Sequence, residues 1–402
     1  MDKPYSVRAV RCDHRSSDEE VYESLVRATA PLTRAWEKLQ KADRIVLKFN
    51  MAHTKILNFE GRRQELVDDA TCRAVLRLLR ERTSAVLVAT DTGGYNQAGE
   101  LSPYLNYLPL LQEFDVEYAE STLAPFAEYE VPGGGYMFQR YTLSSCFREA
   151  DEVVSVAKMK NHTFMGVTLC TKNLFGVTPT IAPEGRVRSY YHHAIRLSYV
   201  LPDLARITNP CLNIIDAMTG QWGREWGGEG RVCDALIAGD QIIATDAFGA
   251  HLMGHDPASD WPTPPFRRDR NHLLVAAQGG FGTVDLDQID VVSEVEAPLN
   301  EFDSVEEDTP QHMAAIRETA CEQGLFYLDH MGEMIDRYRG DFVYLQDREV
   351  KWNGPDPSHI SNHRDFSGNR PGSALFLKLV DPEEHEGERF DVYEDCLQRM
   401  RA

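Results

Sequence analysis

The chain has 402 residues, of which 42% are hydrophobic and 26% charged, and its 63 acidic and 42 basic residues give a formal net charge of -21. This length exceeds that of a usual single domain, and the composition is globular rather than disordered. Such a negative field disfavours nucleic acid and anionic membranes as partners.

The sequence offers no signal for export, membrane insertion or a familiar cofactor. Its first twenty residues lack the apolar core of a signal peptide, and no later apolar run approaches the roughly 20 residues that span a bilayer. The eight cysteines stand singly, without zinc or iron-sulfur spacing, and no nucleotide-binding motif is present. We therefore expect reduced thiols in a cytoplasmic protein, and the cofactor stays unassigned.

Short β-rich runs alternate with helical patterns through the first two thirds of the chain. Helices are predicted at 19–40, 65–82 and 192–207, and Pro202 is expected to limit or break the last of them. The predicted strands are 44–49, 85–90, 152–157, 212–215 and 235–238. This alternation predicts an α/β fold with a doubly wound, mostly parallel sheet and flanking helices.

Polar side chains follow four of these apolar strands. In doubly wound sheets, ligands bind at the carboxyl ends of the strands, so these side chains are candidates for one site. They are Lys48 and Asn50 after the first strand, Asp91 and Thr92 after the second, Lys158, Lys160 and His162 after the third, and Asp216 after the fourth.

The composition of the sequence changes after about residue 255, where proline-rich and acidic segments begin. A helical span near 309–340 is followed by a stretch at 346–372 that is rich in glycine, proline and polar residues and predicts loop. We expect residues 1–255 to form the α/β body and 256–402 to form an extension, a lid or a small second domain. His359 and His363 have the spacing of metal ligands on a helix, but the proline and small polar residues around them oppose a helix, and we predict no metal site.

Residues 157–180 form the most informative segment of the chain. Three lysines (Lys158, Lys160 and Lys172) and His162 follow an apolar strand in an otherwise acidic protein. Clustered or desolvated lysines can act as bases, nucleophiles or anion clamps, and histidine transfers protons near neutral pH. The plain alternative is a solvated basic loop that pairs with nearby acids.

Two further regions carry candidate residues. His192 and His193 stand at the expected start of a helix, where the helix dipole favours a neutral imidazole and an anion; the alternative is a packed turn. Asp216 precedes a glycine-rich loop with two tryptophans, an arrangement that suits a catalytic carboxylate under a mobile cover. Asp246 is expected to cap a helix rather than to catalyse, because Thr and Asp before an apolar run are N-terminal signals.

These motifs resemble, over about residues 42 to 255, the domain-of-unknown-function 362 family. The family's K-P-N sequence is matched by Lys48 and Asn50, with Phe49 in place of proline, and its later aspartate by Asp216. The matches to its K-x-K-x-H and K-N-x-x-G segments are Lys158, Lys160, His162, Lys172, Asn173 and Gly176. The glycine-rich loop departs from the family pattern, and the cysteines lack the spacing of the iron-sulfur module that some relatives carry.

The order of His162, Lys172 and His192 or His193 also resembles, more faintly, that of the nickel-pincer lactate racemase family. That likeness implies a lysine that bears the cofactor, with histidines beside it. The glycine pair that usually precedes this lysine is replaced by Cys170 and Thr171.

The leading prediction is an enzyme that acts on a small carboxylate or phosphate by lysine and histidine acid-base chemistry, such as isomerisation or elimination. Lys172, His162, His192 or His193 would move protons, and Asp216 would orient a histidine or hold a cation. The substrate-binding residues would be Lys48, Asn50, Lys158, Lys160, Asn173, Asp91 and Thr92. Two alternatives stay open: a non-catalytic protein that binds an anion or a redox partner, and a redox enzyme with a metal or pincer-type cofactor.

Overall fold

The computed structural model describes residues 3–51, 56–92, 107–179, 188–305, 308–357 and 376–401, and a large sheet runs through its centre. The strands in chain order are β1 (Tyr5–Arg11), β2 (Arg44–Phe49), β3 (Asn58–Phe59), β4 (Arg62–Arg63), β5 (Val86–Asp91), β6 (Glu117–Glu120), β7 (Phe126–Glu130), β8 (Arg140–Ser144), β9 (Glu152–His162), β10 (Gly166–Thr168), β11 (Leu212–Trp222), β12 (Glu229–Gly239), β13 (Ile289–Ser293), β14 (Phe342–Gln346), β15 (Glu349–Gly354) and β16 (Phe376–Leu379).

The large sheet has nine strands within the described residues. Its order is β13-β1-β12-β11-β9-β2-β5-β6, with β10 paired to the end of β9. The run from β11 to β6 is parallel throughout, as is the pair β1 and β13, whereas β12 is antiparallel to both of its neighbours and β10 to β9. The predicted mostly parallel α/β sheet is therefore confirmed.

Helices cover the sheet and connect its strands. They are α1 (Asp18–Thr29), α2 (Thr33–Leu39), α3 (Asp69–Arg82), α4 (Leu108–Glu113), α5 (Cys170–Asn173), α6 (Arg188–Tyr191), α7 (Arg196–Thr208), α8 (Ile242–Leu252), α9 (His272–Gln278), α10 (Pro310–Asp329), α11 (Met331–Tyr338) and α12 (Asp391–Arg401). The first of them starts at a capping box, in which Ser17 and Glu20 satisfy each other's backbone N–H groups.

Both faces of the sheet are buried, which explains why its strands are apolar along their whole length. In β2, Ile45 and Leu47 pack into one hydrophobic core together with Leu25 of α1 and Leu79 of α3. Val46 points to the opposite face and packs into a second core that includes α7 and α8. Helices on both faces make the sheet doubly wound, as predicted.

Two prolines affect the predicted helices differently: one lies at a break and the other lies inside a continuous helix. The helix expected at 19–40 is divided into α1 and α2, and Pro31 lies in the break, where it supplies no N–H to a helical carbonyl. The expectation for Pro202 was wrong, because α7 continues through it. Pro202 is itself buried with most of this helix, so tertiary packing compensates for the missing hydrogen bond.

The residues after 255 contribute to both the large sheet and a small one. β13 joins the large sheet beside β1, while β14, β15 and β16 form a separate three-stranded sheet. The loop predicted at 346–372 was wrong over Glu349–Gly354, because these residues pair with β14 as strand β15. His359 and His363 lie outside the described residues, and the division at residue 255 stays a prediction.

In the parts of the chain that the structure describes, no helix is both long and apolar enough to cross a membrane. The eight cysteines are free and buried.

Candidate functional site

A cavity of about 200 Å³ lies at the carboxyl ends of β2, β5 and β9. Helices α5 and α6 and the loop between β11 and β12 complete its wall. The residues that line it are Lys48, Asn50, Asp91, Thr92, Lys160, His162, Thr168, Lys172, Asn173, Gly176, Arg188, His192, Glu225 and Trp226. The location is the one that parallel α/β sheets use for ligands.

Nine of the twelve predicted site residues line this cavity, and three do not. The strands explain the convergence, because parallel β2, β5 and β9 end at the same edge of the sheet. The three residues that lie elsewhere are Lys158, Asp216 and His193.

Lys158 and Asp216 form an ion pair inside the sheet. Their side chains are both fully buried, and Lys158 Nζ lies 3.3 Å from Asp216 Oδ2. That same oxygen accepts a hydrogen bond of 2.7 Å from the N–H of Asp68. Burial raises the pKa of Asp216, and the ammonium of Lys158 opposes this effect. The pair thus joins β9 to β11 beside the cavity rather than facing into it.

His193 does not line the cavity. Its Nδ1 lies 3.2 Å from the carbonyl oxygen of Ala194, and its ring centroid lies 6.5 Å from that of Phe376. Of the two adjacent histidines, His192 is therefore the one placed to meet a ligand.

Lys48 belongs to a hydrogen-bonded network at one side of the cavity. Its ammonium forms an ion pair of 2.9 Å with Asp91 Oδ1 and donates to Asn173 Oδ1, also at 2.9 Å. The Asn173 amide in turn donates to the Lys48 carbonyl. Burial lowers the pKa of Lys48, and Asp91 opposes that shift. This lysine is already charge-compensated, so it orders the cavity more than it attracts a ligand.

Lys160 is almost fully buried, and its charge is less well compensated than that of Lys48. Its Nζ donates to the carbonyl of Glu65 at 2.8 Å and lies 4.0 Å from the centre of the Trp226 ring. Burial lowers the pKa of Lys160 to about 8, although the charges of Glu65 and Glu225 raise it. Near neutral pH, Lys160 is thus mainly a cation.

Lys172 is the most perturbed lysine of the cavity. Burial, followed by the charge of Arg188, lowers the pKa of Lys172 to about 7. Among the described residues, no carboxylate lies within ion-pairing distance of its Nζ, which sits 4.9 Å from the centre of the Phe175 ring. A lysine amine that is half deprotonated at neutral pH can act as a base or a nucleophile.

Asp246 positions the helix that carries Lys172. Asp246 does cap a helix, but not the one formed by the apolar run that follows it, because α8 is capped by Gln241 and Asp246 lies inside it. The Asp246 carboxylate instead accepts hydrogen bonds from the N–H groups of Cys170 (2.9 Å) and Thr171 (2.6 Å), at the start of α5. A residue distant in sequence thereby fixes the turn that presents Lys172.

His162 stands at the end of β9, where the chain turns back into β10. Its Nδ1 accepts hydrogen bonds from the N–H groups of Phe164 (3.0 Å) and Met165 (3.2 Å). Glu225 Oε2 lies 3.8 Å from the same nitrogen. Burial, followed by the charge of Lys172, lowers the pKa of His162 well below its ordinary value. The ring is therefore neutral at physiological pH.

His192 and Arg188 enter the cavity from α6 and the residue that follows it. The His192 ring lies 5.3 Å from the rings of both Phe164 and Phe175, and burial with the charge of Lys172 lowers its pKa to about 3. Arg188 donates to the Phe175 carbonyl at 2.9 Å, and burial lowers its pKa to about 10. The guanidinium thus stays charged next to a neutral imidazole.

Four residues of the cavity wall were not predicted from the sequence, namely Arg188, Thr168, Glu225 and Trp226. Arg188 precedes His192 by one helical turn, and this i, i+4 spacing could have identified it. The loop that carries Glu225 and Trp226 was singled out as a cover, but no pattern indicates which of its residues turn inward. Thr168 has no sequence signal, because it depends on the pairing of β10 with β9.

Two cavity residues have buried oxygens without a hydrogen-bond partner among the described residues. They are Asn50 Oδ1 and Thr168 Oγ1. Buried polar atoms are nearly always satisfied in proteins, so such oxygens at a cavity wall are what a bound polar molecule would complete.

In the described part of the chain, the side chains that bring three potential metal-binding atoms close together are Asp13, His14 and Asp234. None of them lines the cavity.

Known proteins resemble this chain in sequence motifs, in overall sequence and in structure. The family model described as Domain of unknown function (DUF362) matches residues 45–251. The thylakoid-associated protein sll1697 of Synechocystis sp. is 26% identical over 240 residues, which are 57% of this chain and 68% of that protein. The lactate racemase apoprotein of Thermoanaerobacterium thermosaccharolyticum has a TM-score of 0.35 and 12% identity, over 62% of this chain and 56% of that chain. This chain thus spans little more than half of that structure, and so low a score supports no conclusion about cofactor or reaction.

Proposed function

We propose, for a chain that belongs to the domain of unknown function 362 (DUF362) family, that the cavity binds a small anionic substrate and that Lys172 acts on it as a general base. The match over residues 45–251 confirms the resemblance predicted from the motifs, and the name of the family specifies no reaction. The observation that carries the proposal is the buried amine of Lys172, whose pKa is lowered to about 7 inside a cavity with other cations.

The charges around the cavity favour an anion. Lys160 and Arg188 are cations that line it, and neither has a carboxylate within ion-pairing distance among the described residues. Of the two acids in the wall, Asp91 is paired with Lys48, and Glu225 accepts the N–H of Thr163 at 3.0 Å. A small carboxylate or phosphate would supply the missing negative charge.

Binding and proton transfer are assigned to different residues of the cavity. Lys160 and Arg188 stay charged near neutral pH and would hold the anionic group. The free amine form of Lys172 is well populated at the same pH, as efficient general bases require. Asn173 and Lys48 would keep the wall in place through their mutual hydrogen bonds.

The test is exchange of substrate protons with solvent. Protein in D2O would be incubated with 2-hydroxybutyrate, 2-oxobutyrate, acetoacetate, malate and glycerol phosphate, and loss of C–H signals would be followed by proton NMR. We expect exchange or conversion of at least one of these anions. Lys172→Met should reduce its rate at least 100-fold, because general base catalysis contributes about 10² to 10⁴. The control is Lys41→Met, since Lys41 is an exposed lysine outside the cavity.

The pH dependence supplies an independent readout. Because the base must be unprotonated, kcat/KM should rise with pH through about 7, and it should fall again above about 8, where Lys160 loses the charge that holds the anion. Calorimetric affinity for the same anion should decrease as the pH rises through the same range. Full activity in Lys172→Met would show that Lys172 is not the general base. Tight calorimetric binding of phosphate or of a panel carboxylate without exchange or conversion would favour the non-catalytic binding protein.

A further inference from the structure

The His162 ring has one nitrogen fixed by the backbone. The N–H groups of Phe164 and Met165, in the turn between β9 and β10, both point at Nδ1. A nitrogen that accepts hydrogen bonds carries its lone pair there and no proton. The proton of the neutral ring is therefore on Nε2.

The surroundings oppose a second proton on this ring. Burial is the main cost of an imidazolium at His162, which is only 4% exposed, and the positive charges of Lys172 and Lys160 add to it. Glu225 approaches from the side of Nδ1, where the two backbone N–H groups already occupy the lone pair. Protonation of Nδ1 would place three hydrogens against one another, so the ring stays neutral.

The other nitrogen is left for a ligand. His162 lines the cavity, and its Nε2 makes no hydrogen bond with a described residue. A neutral imidazole with the proton on Nε2 can donate a hydrogen bond at that position but cannot accept a proton there. It therefore suits an oxygen on which negative charge develops during the reaction.

We infer that His162 is not a base but a fixed hydrogen-bond donor to the carbonyl oxygen of the substrate, which is a small anion with an acidic C–H next to that carbonyl, such as an oxo acid. This inference rests on the proposed role of Lys172. The amine of Lys172 takes the proton from the carbon, the C–H electron pair becomes the C=C bond, and the carbonyl π electrons move to oxygen. The resulting enolate receives the Nε2–H hydrogen bond, and the ammonium of Lys172 later returns a proton to carbon.

The tautomer can be tested without any substrate. The full chain would be labelled with ¹⁵N-histidine, and the His162 signals would be assigned by their loss in His162→Gln. We expect an unprotonated Nδ1 and a protonated Nε2 that do not change between pH 8 and pH 6. A proton on Nδ1, or titration of the ring in this range, would overturn the inference and leave the role of Lys172 untouched.

Activity gives the second test, on 2-oxobutyrate and acetoacetate in D2O. His162→Leu removes the donor and should slow exchange about 100-fold or more, the loss seen when one oxyanion donor is deleted. His162→Gln places an amide N–H near the position of Nε2 and should recover part of that loss. His312→Gln, outside the cavity, is the control and should match the unmodified protein.

Three outcomes would count against the inference. If Lys172→Met abolishes exchange but His162→Leu does not slow it, His162 is not the hydrogen-bond donor, although Lys172 is still the base. If neither oxo acid exchanges while another anion of the panel does, the substrate class is wrong. If His162→Gln is as slow as His162→Leu, the ring does not act through its N–H.

Discussion

Gly176 borders both members of the Lys48–Asp91 ion pair. A Cβ at this position would stand 2.7 Å from Lys48 Nζ and closer still to Asp91 Oδ1. Gly176→Ala should therefore separate the pair, which costs about 1 to 3 kcal/mol of unfolding free energy by overpacking and weakens anion binding. Chemical denaturation and calorimetric titration with phosphate would measure the two effects.

Gly332 provides the matched control for that substitution. It lies in α11, and a Cβ there would meet no atom within 4 Å. Because alanine is the better helix former, Gly332→Ala should leave stability unchanged or slightly raised, and anion binding unaltered. Equal stability in the two variants would show that the space beside Lys48 tolerates a methyl group.

The lysines show what the sequence reveals about single residues. Lys48, Lys158, Lys160 and Lys172 were all identified as candidates, because they follow apolar strands in an acidic chain. Their roles differ through partners that are distant in sequence: Lys158 meets Asp216, whereas Lys172 meets no described carboxylate at ion-pairing distance. Which lysine keeps a lowered pKa is decided by tertiary contacts, so no local pattern could assign it.

Helix α5 depends on a cap from another helix. Asp246→Ala would leave the buried N–H groups of Cys170 and Thr171 without an acceptor, at about 1 to 3 kcal/mol each. We expect a loss of about 3 kcal/mol in unfolding free energy and a shift in the titration of Lys172, which this helix presents. Denaturation and NMR titration of ¹³C-methylated lysines would show both changes.

Gln241→Ala is the matched control, because it removes the cap of α8 and leaves the cap of α5 intact. Its side chain accepts the N–H of Ala244 at 2.8 Å and caps α8 itself. Gln241→Ala should cost about 1 kcal/mol and leave the Lys172 titration in place. If Asp246→Ala also left that titration unchanged, α5 would not need its cap to position the lysine.

At the level of elements, the positions of strands were predictable and their ends were not. The predicted strand at 44–49 matches β2, but β9 continues to His162 and β11 to Trp222, beyond the apolar runs at 152–157 and 212–215. These extensions contain lysine, histidine and glutamine, whose polarity suggests loop. Long-range pairing with β10 and β12 keeps them extended, and this pairing cannot be read from a single segment.

The buried lysine should also affect the stability of the whole molecule. The pKa of Lys172 is lowered from 10.5 to about 7, so between these values the unfolded chain binds a proton that the folded chain does not. Raising the pH therefore favours the folded state, and the gain is lost as the pH falls through about 7. Relative to Lys172→Met, the unfolding free energy should rise by about 2 kcal/mol from pH 7 to pH 9.

Denaturant unfolding at several pH values would measure this difference. The exposed lysine variant, Lys41→Met, should follow the unmodified protein across the same range. A difference between the unmodified protein and Lys172→Met that stays constant with pH would mean that the folded and unfolded states bind the Lys172 proton equally.

The pairing of β1 with β13 has a consequence for how the chain folds. Tyr5 lies opposite Ile289, so these two strands are joined across more than 280 positions of sequence. The other neighbour of β1 is β12, which is also made more than 220 residues later. During synthesis both edges of β1 therefore stay unpaired until the ribosome has made the strands that lie between β1 and β12 in the sequence. The high contact order predicts slow folding, and the waiting strand is where a chaperone or an aggregation partner would gain access to the nascent chain.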